Sequence, residues 1–134
     1  MNTPPSHTGL QLRSLVKASG ELEISLISVD TPAPAPDEVV VRIEATPLNP
    51  SDIGLLFGAA DLGTLSVSGT PASPVVSARI PEGIMKSMGG RLDQSLPVGY
   101  EVAGVVVAAC SADAAQALLG THVAVMGCAR YGYC

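Results

Sequence analysis

A strand leads directly into a helix start within residues 39–52, Val39-Val-Val-Arg-Ile-Glu-Ala-Thr-Pro-Leu-Asn-Pro-Ser-Asp52. Val39, Val41 and Ile43 fall on one face of an extended chain. Arg42 and Glu44 fall on the other face, and this period of two is typical of a half-buried strand. We therefore expect a strand over residues 38–46.

The second half of this stretch carries the signals of a helix N-terminus. Asn49 suits the N-cap, and Pro50 suits the first helical position. Asp52 falls in the first turn, where the helix dipole favours a carboxylate. The apolar residues that follow continue as far as Gly58, so we expect a short helix ending there.

Five further elements are expected on either side of this stretch. Ser19-Gly20 is a turn signal between two alternating segments. Gly99 and Gly104 interrupt a long apolar segment, which indicates a bulge or a bent strand. Ser111 suits an N-cap and Gly120 a helix terminator. The elements are strands at 10–17, 21–29, 98–109 and 123–126, and a helical turn at 111–119.

Two segments show no clear periodicity. Residues 1–9 are polar and rich in proline, and we expect a flexible tail. Residues 59–95 are rich in Gly, Pro, Ser and Thr with isolated apolar residues, which favours a long functional loop or a lid. In the rest of the chain, strands outnumber helices and no βαβ alternation is present. The sequence therefore predicts a mostly β fold, a barrel or a sandwich.

The composition excludes several classes of protein. The chain has 134 residues, of which 47% are hydrophobic, so it is not a disordered chain. Its formal net charge of −5 argues against a nucleic-acid partner, which would require a basic stripe. Val102–Cys110, the longest apolar run, is too short to cross a bilayer, and residues 1–9 do not resemble a signal peptide. We expect a cytoplasmic protein without a membrane partner.

The cysteines and histidines do not form a metal-binding pattern. Cys110, Cys128 and Cys134 have no CxxC spacing and no nearby pair of histidines. They are expected to be small buried hydrophobic side chains in a reducing compartment. His122, at the start of the last strand, is expected to be a capped or edge histidine rather than a metal ligand.

Three segments, in this order and spacing, resemble the GroES-like catalytic domain of medium-chain dehydrogenases and reductases. The resemblance extends over residues 10–134 apart from the expected loop at 59–95. The segments are Val39–Asp52, quoted above, Leu96-Pro-Val-Gly-Tyr-Glu-Val-Ala-Gly-Val-Val-Val107 and Leu119-Gly-Thr-His-Val-Ala-Val125.

The resemblance implies a mostly β fold, a GroES-like, partly open β-barrel with short helices. No Gly-x-Gly-x-x-Gly occurs in the sequence. We therefore expect this chain to lack both the Rossmann domain, which in this family follows the position of Cys134, and the strands that return after it. The resemblance implies an N-terminal catalytic portion that is inactive alone, from a full-length form that is a homodimer.

The resemblance also distinguishes between branches of the superfamily. In the zinc-dependent alcohol dehydrogenases, a cysteine and a histidine occupy the positions of Asn49 and Tyr100. Neither an amide nor a neutral phenol competes well for zinc. The pattern is similar to the zinc-free quinone oxidoreductases, which implies no metal and hydride transfer from NADPH to a small hydrophobic carbonyl, enoyl or quinone substrate.

Hydride transfer to such a substrate requires a donor where negative charge develops on oxygen. The resemblance implies that Asn49 and Tyr100 are the catalytic residues and face the nicotinamide cleft. Residues that bind the cofactor cannot be assigned, because the main cofactor domain is absent from the sequence. The other expected site residues are Ser51, Leu56 and Phe57 in the substrate pocket, with Asp52 and Glu101 in support.

Other interpretations stay open. Without the family, Asn49–Asp52 is a well-capped helix start and Tyr100 is a tyrosine at the rim of a barrel. Glu101, in an apolar strand, requires a partner on burial, and the candidates are Arg42, Arg79 and Arg91. At the level of function, the alternatives are a stand-alone GroES-like interaction module of the co-chaperonin type and a small β-domain with no ligand.

Overall fold

A computed structural model describes residues 7–127 and shows a mostly β chain. In chain order the strands are β1 (His7–Lys17), β2 (Glu21–Thr31), β3 (Val39–Ala45), β4 (Asp61–Thr70), β5 (Ser73–Arg79), β6 (Ser95–Pro97), β7 (Glu101–Ala109) and β8 (His122–Met126). The helices are α1 (Pro50–Leu56), α2 (Glu82–Met85), a 3₁₀ helix (Lys86–Arg91) and α3 (Asp113–Gln116).

These elements form two compact units. The helical unit, as we call it, consists of residues 10–27 and 48–98 and contains α1, α2 and the 3₁₀ helix. The three-stranded unit consists of residues 28–47 and 99–127 together with residues 7–9. β1 and β2 contribute residues to both units.

A five-stranded sheet in the order β4-β5-β2-β1-β6 supplies most of the helical unit. The expected hairpin of β1 and β2 is confirmed, and Gly20 takes a φ of +86° at its turn, a conformation that glycine adopts readily. Leu22 and Ile24 are buried as their alternation predicts. They belong to a hydrophobic core to which α1 and the segment before Tyr100 also contribute. The other buried members of this core are Val16, Leu56, Ala59, Ile80 and Val98.

The three-stranded unit contains an antiparallel sheet in the order β3-β7-β8. The expected strand at 38–46 is confirmed as β3, and the last strand is confirmed as β8. The register of β3 against β7 shifts twice, once between Val40 and Val41 and once between Ile43 and Ala45. Val102 and Val106 point to the buried side of β7.

The mostly β class is confirmed, but the sheets do not close into a barrel. The larger sheet ends at β4 and β6, and the smaller one ends at β3 and β8, so each is open within the described part of the chain. Residues 59–95 also differ from the expected long loop, since they contain β4, β5, α2, the 3₁₀ helix and β6. All ten residues of β4 are exposed, and a strand without a buried face leaves no apolar alternation in the sequence.

Three boundaries differ from the expectation. His7–Gly9 of the expected tail belong to β1, whereas residues 1–6 lie outside the described part of the chain. The strand expected from Val98 begins only at Glu101, because Gly99 takes a φ of +106° and breaks the extended backbone. The last helix is a single turn whose N-cap is Ala112 rather than Ser111. Within residues 7–127, no helix has both the length and the apolar character that a membrane span requires.

Candidate functional site

Asn49 lies where the chain enters α1, as the sequence predicts. Asn49 has an extended backbone and is the N-cap, and Pro50 begins the helix. The backbone N–H of Asn49 donates to Asp52 Oδ2 at 2.8 Å, and the N–H of Asp52 donates to the carbonyl of Asn49 at 2.9 Å. These two bonds fix the backbone of Asn49, and the residue itself is only partly buried.

Asp52 is the most deeply buried charged residue of this segment, with 1% of its surface exposed. Its second oxygen, Oδ1, has no hydrogen-bond partner among residues 7–127. A buried carboxylate usually requires a compensating donor or charge. Through Oδ2, Asp52 holds the backbone of Asn49.

A second polar cluster lies beside α1 in the helical unit. Ser14 Oγ, which is fully buried in β1, donates to the carbonyl of Leu55 at 2.8 Å. Arg91 Nη2 donates to Ser14 Oγ at 2.9 Å and approaches the Leu55 carbonyl at 3.4 Å. These contacts join β1, α1 and the 3₁₀ helix through polar atoms.

The sequence did not single out Ser14, and it named Arg91 only as a candidate partner of Glu101. Ser14 did carry a signal, since it lies two residues from Leu12 and Val16 and therefore on their face of β1. A serine on the apolar face of a strand requires an internal partner. No local pattern marks Arg91, which lies 77 residues from Ser14 along the chain.

The three residues expected in the substrate pocket occupy different environments. Ser51 is exposed on the first turn of α1. Leu56 is 5% exposed and belongs to the hydrophobic core, and Phe57 is partly buried and packs against that core. Leu56 therefore already contributes to folding, whatever its relation to a ligand.

Tyr100 and Glu101 belong to the three-stranded unit, and each is described there by itself. Tyr100 follows Gly99 and is 50% exposed, and its carbonyl accepts the N–H of Gly127 at 2.9 Å. Glu101 is only partly buried, so its carboxylate keeps access to water. Arg42, the candidate partner in the same unit, pairs with Glu44 at 3.0 Å.

The expected site residues are thus divided between the units. Asn49, Ser51, Asp52, Leu56 and Phe57 lie on one short segment of the helical unit. Tyr100 and Glu101 lie at the start of β7 in the three-stranded unit.

A surface groove is present in each unit. In the helical unit, a groove of about 600 Å³ lies beside the turn between β1 and β2 and is lined by Glu21, Arg79 and Glu82 among others. Next to it, Glu21 and Glu23 accept hydrogen bonds from Lys17 and raise the pKa of its ammonium well above the usual range. The carboxylates at this turn are therefore partly neutralised.

The groove of the three-stranded unit has a volume of about 360 Å³. Its floor consists of small residues, among them Ala103, Gly104 and Ala124, with Glu44 and His122 beside them. His122 Nε2 lies 3.9 Å from Glu44 Oε2, and His122 is largely exposed, as expected of an edge histidine.

Within residues 7–127, no three His, Cys, Asp or Glu side chains converge in a way that could hold a metal ion. Cys110 has a free, partly buried thiol, and Cys128 and Cys134 lie outside the described residues.

In comparisons with known proteins, the chain matches no protein-family model and no curated protein.

Proposed function

We propose that this chain is the substrate-side portion of an NADPH-dependent, zinc-independent oxidoreductase of the quinone oxidoreductase type. The observation that supports this most directly is the position of Asn49 at the N-cap of α1. The buried Asp52 carboxylate fixes the backbone of Asn49 at 2.8 Å, while Asn49 itself stays partly exposed. This bond holds the backbone from which the Asn49 side chain projects. The side-chain amide is the donor proposed to stabilise the charge that develops on the substrate oxygen.

The proposed reaction is reduction of a small hydrophobic quinone, enone or enoyl compound. NADPH would supply the hydride, and the Asn49 amide would donate a hydrogen bond to the acceptor oxygen. The Tyr100 hydroxyl is the second candidate donor, and its 50% exposed side chain is compatible with ligand contact. The proposal also takes in a homodimeric full-length form, following the resemblance.

The residues of this chain do not fit the phosphates of NADPH. The sequence contains no Gly-x-Gly-x-x-Gly, and residues 7–127 contain no strand–helix–strand unit with parallel neighbouring strands. Such a unit normally places the pyrophosphate on backbone N–H groups at a helix start. We therefore assign nucleotide binding to a domain outside this sequence, and we derive no step that requires the cofactor here.

Titration of the 134-residue chain with NADPH tests this assignment. We expect no saturable change in nucleotide fluorescence up to millimolar protein, because the glycine-rich turn is absent. A GxGxxG-containing reductase serves as the positive control. Saturable binding in the micromolar range would show that the chain holds the nucleotide by itself, and the proposal of a separate cofactor domain would be wrong.

The role of Asn49 is tested with a water-soluble naphthoquinone followed by ¹H–¹⁵N NMR. We expect the side-chain amide of Asn49 to shift on titration, and Asn49→Ala to weaken binding by about tenfold, the value of one hydrogen bond. Gln94→Ala, which removes an exposed amide of the same unit, is the matched control and should leave the affinity unchanged. Equal affinities of the Asn49→Ala variant and the original chain would contradict the proposal.

One observation favours the interaction module instead. β4 is exposed along its whole length and carries Leu62, Leu65 and Val67 on its surface. An apolar strand at a sheet edge can pair with another chain. Size-exclusion chromatography separates the two proposals, because a discrete ring-sized species would support the module, whereas a monomer or dimer would support the reductase.

A further inference from the structure

The C-terminal end of α1 is capped by side chains rather than by a glycine. A helix leaves the carbonyl groups of its last turn without partners inside the helix. A common solution is a glycine in the left-handed conformation directly after the helix. Gly58, where the sequence predicts the end of the helix, has no positive φ, and Phe57 is the C-cap. The carbonyl of Leu55 instead meets two side chains from other elements.

Ser14 and Arg91 converge on the Leu55 carbonyl. Ser14 Oγ donates to this oxygen at 2.8 Å, and Arg91 Nη2 lies 3.4 Å from it. Nη2 also donates to Ser14 Oγ at 2.9 Å. A guanidinium has no acceptor, so the hydroxyl accepts from Arg91 and keeps its single proton for the carbonyl. Arg91 therefore fixes the direction in which the serine hydroxyl donates.

The position of Arg91 has an energetic cost that the end of the helix helps to offset. Arg91 Nε is buried and has no hydrogen-bond partner among residues 7–127, which is unfavourable for a donor. The negative end of a helix dipole, in turn, favours a cation. A hydrogen bond from a charged donor is also stronger than one between neutral groups. Arg91 is thus held at the end of α1 by its charge as well as by its hydrogen bonds.

We propose that Ser14 and Arg91 are positioning residues that act through this cap. By holding the last turn of α1, they set the direction in which Phe57 leaves the helix. The cap depends on the observed contacts alone, whereas its role for a ligand rests on the proposed function, with Phe57 lining the acceptor pocket. Neither Ser14 nor Arg91 contacts the substrate in this arrangement.

Amide hydrogen exchange in the whole chain tests the cap. The N–H of Phe57 donates to the carbonyl of Ile53 at 2.8 Å, so its exchange reports the last turn of α1. We expect Ser14→Ala and Arg91→Met each to accelerate this exchange about tenfold, since each removes a bond of the cap. Arg91→Lys keeps a cation at the helix end and should recover most of the protection.

Two controls separate the cap from a general loss of stability. The N–H of Ile80 donates to the carbonyl of Gly20 at 2.9 Å in the same unit, and its exchange reports the unfolding of the core. It should respond less than that of Phe57. Arg13→Met is the matched variant, because Arg13 contacts side chains of β1 and β6 rather than α1. It should leave the exchange of Phe57 unchanged.

The ring of Phe57 tests the role for a ligand. Phe57 is the one phenylalanine of the sequence, so its ring signals are assigned without ambiguity. With the water-soluble naphthoquinone as the probe, we expect these signals to shift on titration. Arg91→Met should bind the quinone about fivefold more weakly, with Arg91→Lys close to the original chain. A residue that served stability alone would not alter the affinity of the folded chain.

Equal acceleration at Phe57 and Ile80, or unchanged exchange of Phe57 in Arg91→Met, would show that no cap acts on the last turn. If either Ser14→Ala or Arg91→Met does not fold, the other variant decides. Unchanged quinone affinity of Arg91→Met would contradict the positioning of Phe57. A chain that binds no quinone at all would contradict the proposed function instead, and the exchange of Phe57 would still decide on the cap.

Discussion

Replacing Gly104 with valine is expected to unfold the β3-β7-β8 sheet. A Cβ atom at position 104 would lie 2.0 Å from the carbonyl oxygen of Arg42 and 3.0 Å from the Cα of Ile43, both in the backbone of β3. Backbone atoms cannot rotate away as a side chain can, so the two strands would have to separate. Overpacking of this kind costs about 3 kcal/mol or more, a large part of the stability of a small domain.

Urea denaturation followed by far-UV circular dichroism measures the effect, and NMR signals of Val102 and Val106 report the sheet itself. Ala103→Val is the matched control, because it places the same valine side chain at an exposed position of β7. A change of less than about 0.5 kcal/mol is expected there. If Gly104→Val were as stable as the control, the close approach of β3 and β7 would be wrong.

Strands with one buried face could be predicted from the sequence, and strands without one could not. β2 and β3 alternate apolar and polar residues, and both were expected near their observed bounds. β4 exposes both faces, so its apolar residues follow no spacing that burial would select. Its partner β5 contains Pro74, two valines, small residues and Arg79, which the sequence alone did not separate from a loop.

Two glycines of the second resembling segment have different structural roles. Gly99 and Gly104 were both expected to bend the backbone. Gly99 does so through a positive φ, whereas Gly104 permits a close approach of two backbones. Either requirement selects a glycine, so the sequence does not distinguish them. The position of the partner strand does.

The candidate site shows the same division between local and non-local signals. Asn49, Pro50 and Asp52 lie within four residues, so the rules of helix capping were sufficient to predict their arrangement. The contacts of Ser14 with Leu55 and Arg91 span 41 and 77 residues of the chain. Pairings of this kind depend on sheet order, which no pattern in this sequence specifies.

Leu56 connects the site with the core, and Ile53 of the same helix lies in the opposite environment. Leu56 is 5% exposed and packs in the core, whereas Ile53, one turn earlier, is 45% exposed. The resemblance to the reductases implies that Leu56 lines the acceptor pocket. Its burial implies a large contribution to stability, and a variant at this position must therefore be examined for folding before its ligand binding is interpreted.

Leu56→Ala is expected to lower the free energy of unfolding by about 2–4 kcal/mol, since it removes buried methyl groups and leaves a cavity. Ile53→Ala, on the exposed side of the same helix, should cost less than about 1 kcal/mol. Urea denaturation of both variants gives the comparison, and quinone binding by the folded fraction then separates the two roles. Similar losses for the two variants would show that Leu56 is not a core residue. A loss of about 2–4 kcal/mol combined with unchanged quinone affinity would remove Leu56 from the pocket. Asn49, the N-cap of α1, would remain the residue on which the reductase proposal depends.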